Sequence, residues 1–147
     1  MNLNVDYMNI SNLEQIRDIL NTDFDDFWNY SVLKDELNSK NSTYFVVKNE
    51  TSEILGFAGI KIILDEAEIM NIVTKKDCRN QGVGKLLLDR IILEAKNKNI
   101  RKINLEVNEN NTIAIHLYEK FGFNIDVKRK NYYNNGNAIL MSKILEK

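Results

Sequence analysis

The sequence predicts a single α/β (α+β) domain in which a mixed central sheet is flanked by helices. Three observations predict it. Apolar runs of strand length and helical periodicities follow one another in the order β-α-α-β-β-β-α-β-α-β-β. That order contains a strand-helix-strand unit, which points to a mixed sheet covered by helices. No linker, repeat or low-complexity segment interrupts the chain, so residues 1–147 read as one domain, large enough to bury a core without staples.

Taken in order, Leu3 to Met8 reads as a short first strand. Ser11, with Glu14 at the capping-box spacing, is placed to cap a helix using Leu13, Ile16, Ile19 and Leu20. Asn21 to Asn29 is polar and aromatic and reads as irregular, and a second short helix follows through Val32, Leu33 and Leu37. Tyr44 to Val47 is a strand, Asn49 to Glu53 a polar turn, and Ile54 to Leu64 a returning strand with Gly56 and Gly59. Asp65-Glu66 turns into the strand that ends at Thr74.

A glycine-bearing turn then leads into a long helix, Leu86 to Lys98, with Val83, Leu87, Ile91 and Ala95 at i,i+4 spacing. In Lys102 to Val107, alternation puts Ile103, Leu105 and Val107 on one side and Asn104, Glu106 and Asn108 on the other. Asn111 caps a helix whose apolar stripe is Ala114, Leu117, Tyr118 and Phe121. Gly122 ends that helix, with Phe123 placed for a hydrophobic contact at its C-terminus. Two final strands, Phe123 to Lys130 and Asn137 to Ile144, flank an aromatic, asparagine-rich loop.

Composition narrows the class. An apolar fraction of 44% and a charged fraction of 28% are those of an ordinary globular protein. A net charge of −1 gives no basic field for nucleic acid. Cys78 is the only cysteine, which excludes a disulfide framework or a thiolate zinc site, and no metal is expected. No apolar run approaches a membrane span, and the N-terminus lacks the basic and apolar regions of a signal peptide. A cytoplasmic protein is the expectation. The composition leaves the oligomeric state open.

The most informative stretch is Arg79-Asn80-Gln81-Gly82-Val83-Gly84-Lys85, between the apolar strand ending at Thr74 and the long helix. A glycine-bearing turn that opens a helix offers free backbone N–H groups at a positive helix end, an anion site. Two common phosphate loops are excluded by what is missing. A dinucleotide fingerprint needs a third glycine where Leu87 stands, and a P-loop needs a glycine at Arg79 and a Ser or Thr at Leu86. Arg-x-x-Gly-x-Gly after a strand instead resembles the GNAT acetyltransferases, which hold the pyrophosphate of acetyl-coenzyme A there. The motif alone also fits an ordinary surface turn.

The rest of the chain extends the resemblance over essentially its whole length, since the element order is that of the GNAT fold. It implies acetyl-coenzyme A as co-substrate, with Arg79, Asn80, Gln81, Gly82, Val83, Gly84 and Lys85 around its phosphates. Lys75 and Lys76 add positive charge nearby. It also implies that the backbone of Ile72, Val73 and Thr74 faces the pantetheine arm and polarises the thioester. Leu105-Glu106-Val107, then Asn111, then Ile115-His116-Leu117-Tyr118 is similar to the bacterial ribosomal-protein-alanine N-acetyltransferases, the RimI type. By that resemblance Glu106 is the general base, Tyr118 protonates the coenzyme A thiolate, and Asn111 contacts the cofactor. The runs Leu64 to Ile72 and Arg129 to Tyr133 resemble that family's substrate-facing segments. Asp65 and Glu66 would meet a cationic side chain early in a peptide, and Tyr132 and Tyr133 would cover its backbone.

The departures are specific. His116 replaces a usual alanine and is expected to face outward, and Cys78 stands where an aromatic is common and is expected to be packed rather than reactive. The proline usual before Trp28 is missing at Phe27, and Lys76 replaces another frequent proline. The resulting expectation is direct acetyl transfer, in a ternary complex, to the N-terminal alanine of a ribosomal protein. The alternatives are a GNAT enzyme for a polyamine, amino acid or aminoglycoside, and a non-catalytic acyl-coenzyme A module.

Overall fold

A computed structural model describes residues 2–24, 29–133 and 136–145, and at 131–133 the backbone alone. The strands are β1 (Asn4–Tyr7), β2 (Ser42–Lys48), β3 (Ile54–Ile63), β4 (Glu66–Thr74), β5 (Lys102–Asn108), β6 (Asn124–Tyr133) and β7 (Gly136–Ile144). The helices are α1 (Ile10–Ile16), α2 (Leu20–Asp23), α3 (Tyr30–Leu37), α4 (Val83–Asn97) and α5 (Thr112–Lys120). Among the described residues the strands form one hydrogen-bonded sheet in the order β1-β2-β3-β4-β5-β7-β6. β4 and β5 are parallel, whereas β1–β2, β2–β3, β5–β7 and β6–β7 are antiparallel. The sheet is therefore mixed, as the element order predicts.

Contacts divide the chain into two compact units that interleave in sequence. The first is Met1–Lys61 with Met70–Glu94, and the second is Ile62–Ile69 with Ala95–Lys147.

In the first unit, α1, α2 and α3 bury Leu13, Ile16, Leu20 and Leu33 with Phe24 against Tyr44 and Val46 of β2 and Phe57 of β3. Phe24 and Leu33 are 0% and 1% exposed, and burial of such a side chain is worth roughly 1.5–3 kcal/mol. The first helix starts two residues earlier than Ser11 would place it. Asn9 is the cap: its side chain accepts from the Asn12 N–H at 2.9 Å, and the Asn12 side chain accepts from the Asn9 N–H at 2.9 Å. Asparagine caps as well as serine does, and here the N3 partner is a second asparagine rather than a glutamate.

The expected continuous helix is broken by a tighter 3₁₀ turn at Arg17–Ile19. Leu20, which follows the turn, is buried at 3% exposure. On α4, Glu94 is buried at 4% exposure. It accepts from the Tyr7 hydroxyl at 2.8 Å and pairs with Arg90 at 3.0 Å, so its charge is compensated. The missing proline at Phe27-Trp28 lies outside the described residues.

In the second unit, β5 alternates as predicted, with Ile103, Leu105 and Val107 at 0%, 3% and 7% exposure. β7 pairs with it along its full length, from Lys102↔Ile144 to Asn108↔Ala138. α5 begins where expected, the Asn111 side chain accepting from the Ala114 N–H at 3.2 Å. It ends in a paired hydrogen-bond motif: the Gly122 N–H donates to the Glu119 carbonyl and the Phe123 N–H to the Tyr118 carbonyl, both at 3.0 Å. Phe123 then lies against Tyr118, ring centroids 5.7 Å apart. Gly122 adopts φ +90°, a backbone that L side chains rarely take. β6 runs to Tyr133, so Tyr132 and Tyr133 belong to a strand and not to the loop the composition suggests.

Gly122→Ala tests this helix end. A non-glycine residue in the left-handed region costs about 1–2 kcal/mol. The urea midpoint should fall accordingly, with an unchanged slope.

Candidate active site

The glycine loop lies in the first unit. β4 ends at Thr74, the Lys75 N–H donates to the Leu55 carbonyl at 2.8 Å, and a 3₁₀ turn covers Lys76–Cys78. The chain then reverses through two left-handed residues, Asn80 at φ 66° and Gly82 at φ 83°. Asparagine is one of the few side chains that tolerate this region. No heavy atom lies within 4 Å of where a Gly82 Cβ would stand, so the need for glycine there is conformational. The Gly82 carbonyl accepts from the Leu86 N–H at 3.1 Å, which opens α4. The amides of Val83, Gly84 and Lys85 precede that first intrahelical donor, the arrangement expected of an anion-receiving helix start.

Gly56 on β3 serves a different purpose. A Cβ there would lie 2.6 Å from Val83 Cγ1 and 2.7 Å from the Val73 carbonyl oxygen. Its absence lets the end of β4 and the start of α4 approach β3. Val73 and Val83 are buried, Ile72 and Thr74 partly so, and Arg79, Asn80, Gln81 and Lys85 are exposed.

Two neighbours of the loop are accounted for. Lys75 pairs with Glu53 at 2.6 Å. Their hydrogen bond holds the Glu53 carboxyl below, and the Lys75 amine above, its ordinary pKa. Lys75 therefore does not add uncompensated charge to the loop, contrary to the sequence expectation. Burial, then the hydrogen bond to Asp77, pushes the Cys78 thiol up to about 11. It is packed and protonated near neutrality, hence a poor nucleophile.

The second unit holds the residues expected to move protons. Burial of its neighbours on β5 leaves Glu106 exposed on the opposite face. It lines a cavity of about 740 Å³ with Glu68, Lys102, Asn104, Asp126 and Arg129, floored by Leu105, Leu140 and Met141. Tyr118 is partly buried on α5, and burial raises its hydroxyl to about 12. Asn111 uses its side-chain oxygen to cap α5, and His116 is exposed, as expected.

Asp65 and Glu66 are engaged within the chain. Arg101 pairs with Asp65 at 3.2 Å and with Glu66 at 2.9 Å, and Asn104 donates to Glu66 at 2.8 Å. Neither acidic residue lines the cavity, whereas Glu68 does. Glu68 was legible in principle, because the period of two puts it on the face of Glu66. The side chains of Tyr132 and Tyr133 lie outside the described residues. Among those residues no group of three or more His, Cys, Asp or Glu is placed to hold a metal ion, and no helix is long and apolar enough to cross a membrane.

The first unit carries the glycine-turned start of α4, and the second carries the carboxylate-lined cavity. Residues 13–123 match the acetyltransferase (GNAT) family, and the chain belongs to it. It is an acetyl-coenzyme A-dependent N-acetyltransferase. It is 39% identical over 122 residues to the [ribosomal protein bS18]-alanine N-acetyltransferase of Haemophilus influenzae, covering 78% of this chain and 80% of that one. The enzyme of the same name from Escherichia coli is 38% identical over 84 residues, 57% of each chain. The crystal structure of the ribosomal-protein-S18-alanine N-acetyltransferase from Escherichia coli matches with a TM-score of 0.89 at 27% identity, covering 99% of this chain and 96% of that one. Ard1 from Thermoplasma volcanium shares the fold, with a TM-score of 0.87 over 100% of both chains at 23% identity.

Gly84→Asp separates binding from folding at the loop. A carboxylate in the first turn of α4 suits the helix dipole, so stability should hold or rise slightly. The same charge repels phosphate, and the Michaelis constant for acetyl-coenzyme A should rise at least about tenfold, a cost of about 1.4 kcal/mol. Calorimetric titration with coenzyme A beside a thermal melt checks both halves.

Proposed function

We propose that this enzyme acetylates the N-terminal α-amine, an alanine, of a ribosomal protein in the cytoplasm. The observation that carries the reading is the 39% identity to the Haemophilus influenzae enzyme over 80% of that chain. Acetyl-coenzyme A binds with its phosphates on the loop from Arg79 to Lys85 and its pantetheine arm along Ile72, Val73 and Thr74, and Asn111 contributes a further contact. Asp65, Glu66, Tyr132 and Tyr133 border the acceptor peptide.

Transfer is direct, in a ternary complex. The amine nitrogen attacks the thioester carbonyl carbon, Glu106 takes the nitrogen's proton, and the carbon–sulfur bond breaks. A backbone N–H of β4 aimed at the developing oxyanion would contribute about 2.7–4 kcal/mol. Tyr118 faces the departing sulfur. Complete transfer from a hydroxyl at about 12 to a thiolate of ordinary pKa, about 8.5, runs uphill by about 3.5 units. Tyr118 therefore serves as a hydrogen-bond donor that stabilises the sulfur. The thiolate ends protonated at the expense of the proton released by the amine, which balances the reaction.

Glu106→Gln should lower turnover by about 10²–10⁴-fold, and Tyr118→Phe by about 10²–10³-fold. Their pH profiles should differ. The Glu106→Gln deficit shrinks as pH rises past about 8, where an α-amine arrives neutral without a base. The Tyr118 hydroxyl, at about 12, stays protonated through the working range, so the Tyr118→Phe deficit stays flat. A Glu106→Gln deficit independent of pH would mark a structural carboxylate.

The acceptor class follows from proton affinity. An α-amine titrates at about 7.7–8.0 and a lysine amine near 10.4, so deprotonating lysine costs about 3.4 kcal/mol more. A peptide with a free N-terminal alanine should be acetylated faster than an N-blocked peptide with a free lysine, and faster than spermidine. A thiol-release assay reads all three, and faster turnover of spermidine would replace the ribosomal acceptor with a small amine.

A further inference from the structure

Three unfavourable choices of residue converge on one place in the first unit. The buried positions of β4 are Ala67, Ile69, Asn71 and Val73, so a primary amide stands in a row of apolar side chains. Tyr44 of β2 lies in the apolar cluster that includes Val46, Phe57 and Val73. Asn71 is 7% exposed and Tyr44 3%. The Tyr44 hydroxyl and both polar atoms of the Asn71 amide make no hydrogen bond of normal length and angle among the described residues. The third choice is Gly59, inside β3, where a glycine weakens a strand.

Strand pairing brings the three together. Tyr44 pairs with Gly59 across the β2–β3 ladder. A Cβ at Gly59 would collide with the Tyr44 ring, so the missing side chain lets the ring lie across β3. The Lys75 N–H donates to the Leu55 carbonyl. Antiparallel pairing carried back from there in two-residue steps sets Val73 opposite Phe57 and Asn71 opposite Gly59. Burial, then the Glu36 charge, raises the Tyr44 hydroxyl above its ordinary pKa, and the Asn71 amide is near enough to oppose them.

A leucine and a phenylalanine would fill the same space without burying three polar atoms. Buried amides and hydroxyls in folded proteins are paired, by each other or by an internal water. An amide and a hydroxyl each offer a donor and an acceptor, so these two can complete such a pairing across Gly59. The backbone is what the pairing holds, because the peptide unit that leaves Asn71 ends in the Ile72 N–H. We infer that Tyr44 and Asn71 form a polar tie through the core that aims the Ile72 N–H, which makes both of them positioning residues for polarisation of the thioester carbonyl. This deepens the proposed mechanism and rests on its assignment of the β4 backbone to the thioester. Apolar packing is non-directional, whereas a hydrogen bond to the preceding side chain fixes an angle. A donor that stabilises an oxyanion acts only while it is held in place, and a displacement of about 1 Å costs about 10²-fold in rate.

Tyr44→Phe, Asn71→Leu and the double variant test the tie. Infrared difference spectroscopy of bound acetyl-coenzyme A, isotopically labelled at its thioester carbonyl, reads polarisation without turnover. In the wild type the carbonyl band should lie below that of the free cofactor, and in all three variants it should move back toward the free value. Turnover of a peptide with an N-terminal alanine should fall by about tenfold to 10²-fold in each, while the Michaelis constant for acetyl-coenzyme A stays put. Stability should follow a different order. Each single variant leaves one buried polar group unpartnered and should lower the urea midpoint, whereas the double variant removes both and should restore it. Where a single variant folds poorly, the double variant carries the comparison. A double variant that regains the wild-type band and turnover along with its stability overturns the inference, since the pair is then structural alone. A band that stays shifted in every variant overturns it too. An unshifted band in the wild type would instead remove the β4 assignment itself, and the inference with it.

Discussion

Burial of Ile103, Leu105 and Val107 on one face of β5 is the constraint on which the second unit's chemistry depends. A strand's side chains alternate strictly, so fixing three of them inward forces Asn104 and Glu106 outward. A slip of one residue would bury the carboxylate and expose three apolar groups. The antiparallel ladder with β7, unbroken from Lys102 to Asn108, holds that register on one side. On the other, the three-residue parallel ladder with β4 sets Glu68 beside Asn104. The cavity follows from these pairings, because every polar residue it takes from β4 and β5 lies on the face that packing leaves open.

Helix ends do the corresponding work elsewhere. At the start of α4, two left-handed residues turn the chain so that the amides of Val83, Gly84 and Lys85 lead the helix. At the end of α5, Gly122 lets the chain fold back, and Phe123 closes over Tyr118. The first arrangement puts the helix's leading backbone donors at the end of the glycine turn. The second satisfies the backbone and fixes a phenol in surroundings that keep it protonated. In both, one glycine at positive φ decides the local path, and the adjacent side chains inherit their positions from it.

Charged residues near the site divide by whether the chain already supplies a partner. Glu53 holds Lys75, Arg101 holds Asp65 and Glu66, and Lys61 pairs with Glu36 at 3.3 Å. These exposed and half-exposed pairs add little stability individually. Their consequence is electrostatic: they remove charges from the set that a ligand would meet. Proximity in sequence is therefore a poor guide to a ligand's electrostatics, since Lys75 adjoins the loop and Asp65 opens the strand that carries Glu68.

Much of this was legible before the fold was known. The order of elements, the alternation of β5, the Asn111 cap and the Gly122-Phe123 helix end follow from periodicity and local backbone chemistry, which act over a few residues. The resemblance pointed to Glu106, Tyr118 and the loop, because the motifs it rests on are short runs with fixed spacing. Local rules failed where two neighbours competed for one role. Asn9 rather than Ser11 capped the first helix, since either side chain can accept from the leading amides, and a 3₁₀ turn at Arg17–Ile19 interrupted it. Tyr132 and Tyr133 joined a strand because β7 offered a partner ladder, which is a long-range pairing. Only the tertiary structure decided which charges are satisfied. Arg101 is 36 residues from Asp65 and Lys75 is 22 residues from Glu53, and ion pairs between residues so distant arise from the fold, not from spacing along the chain.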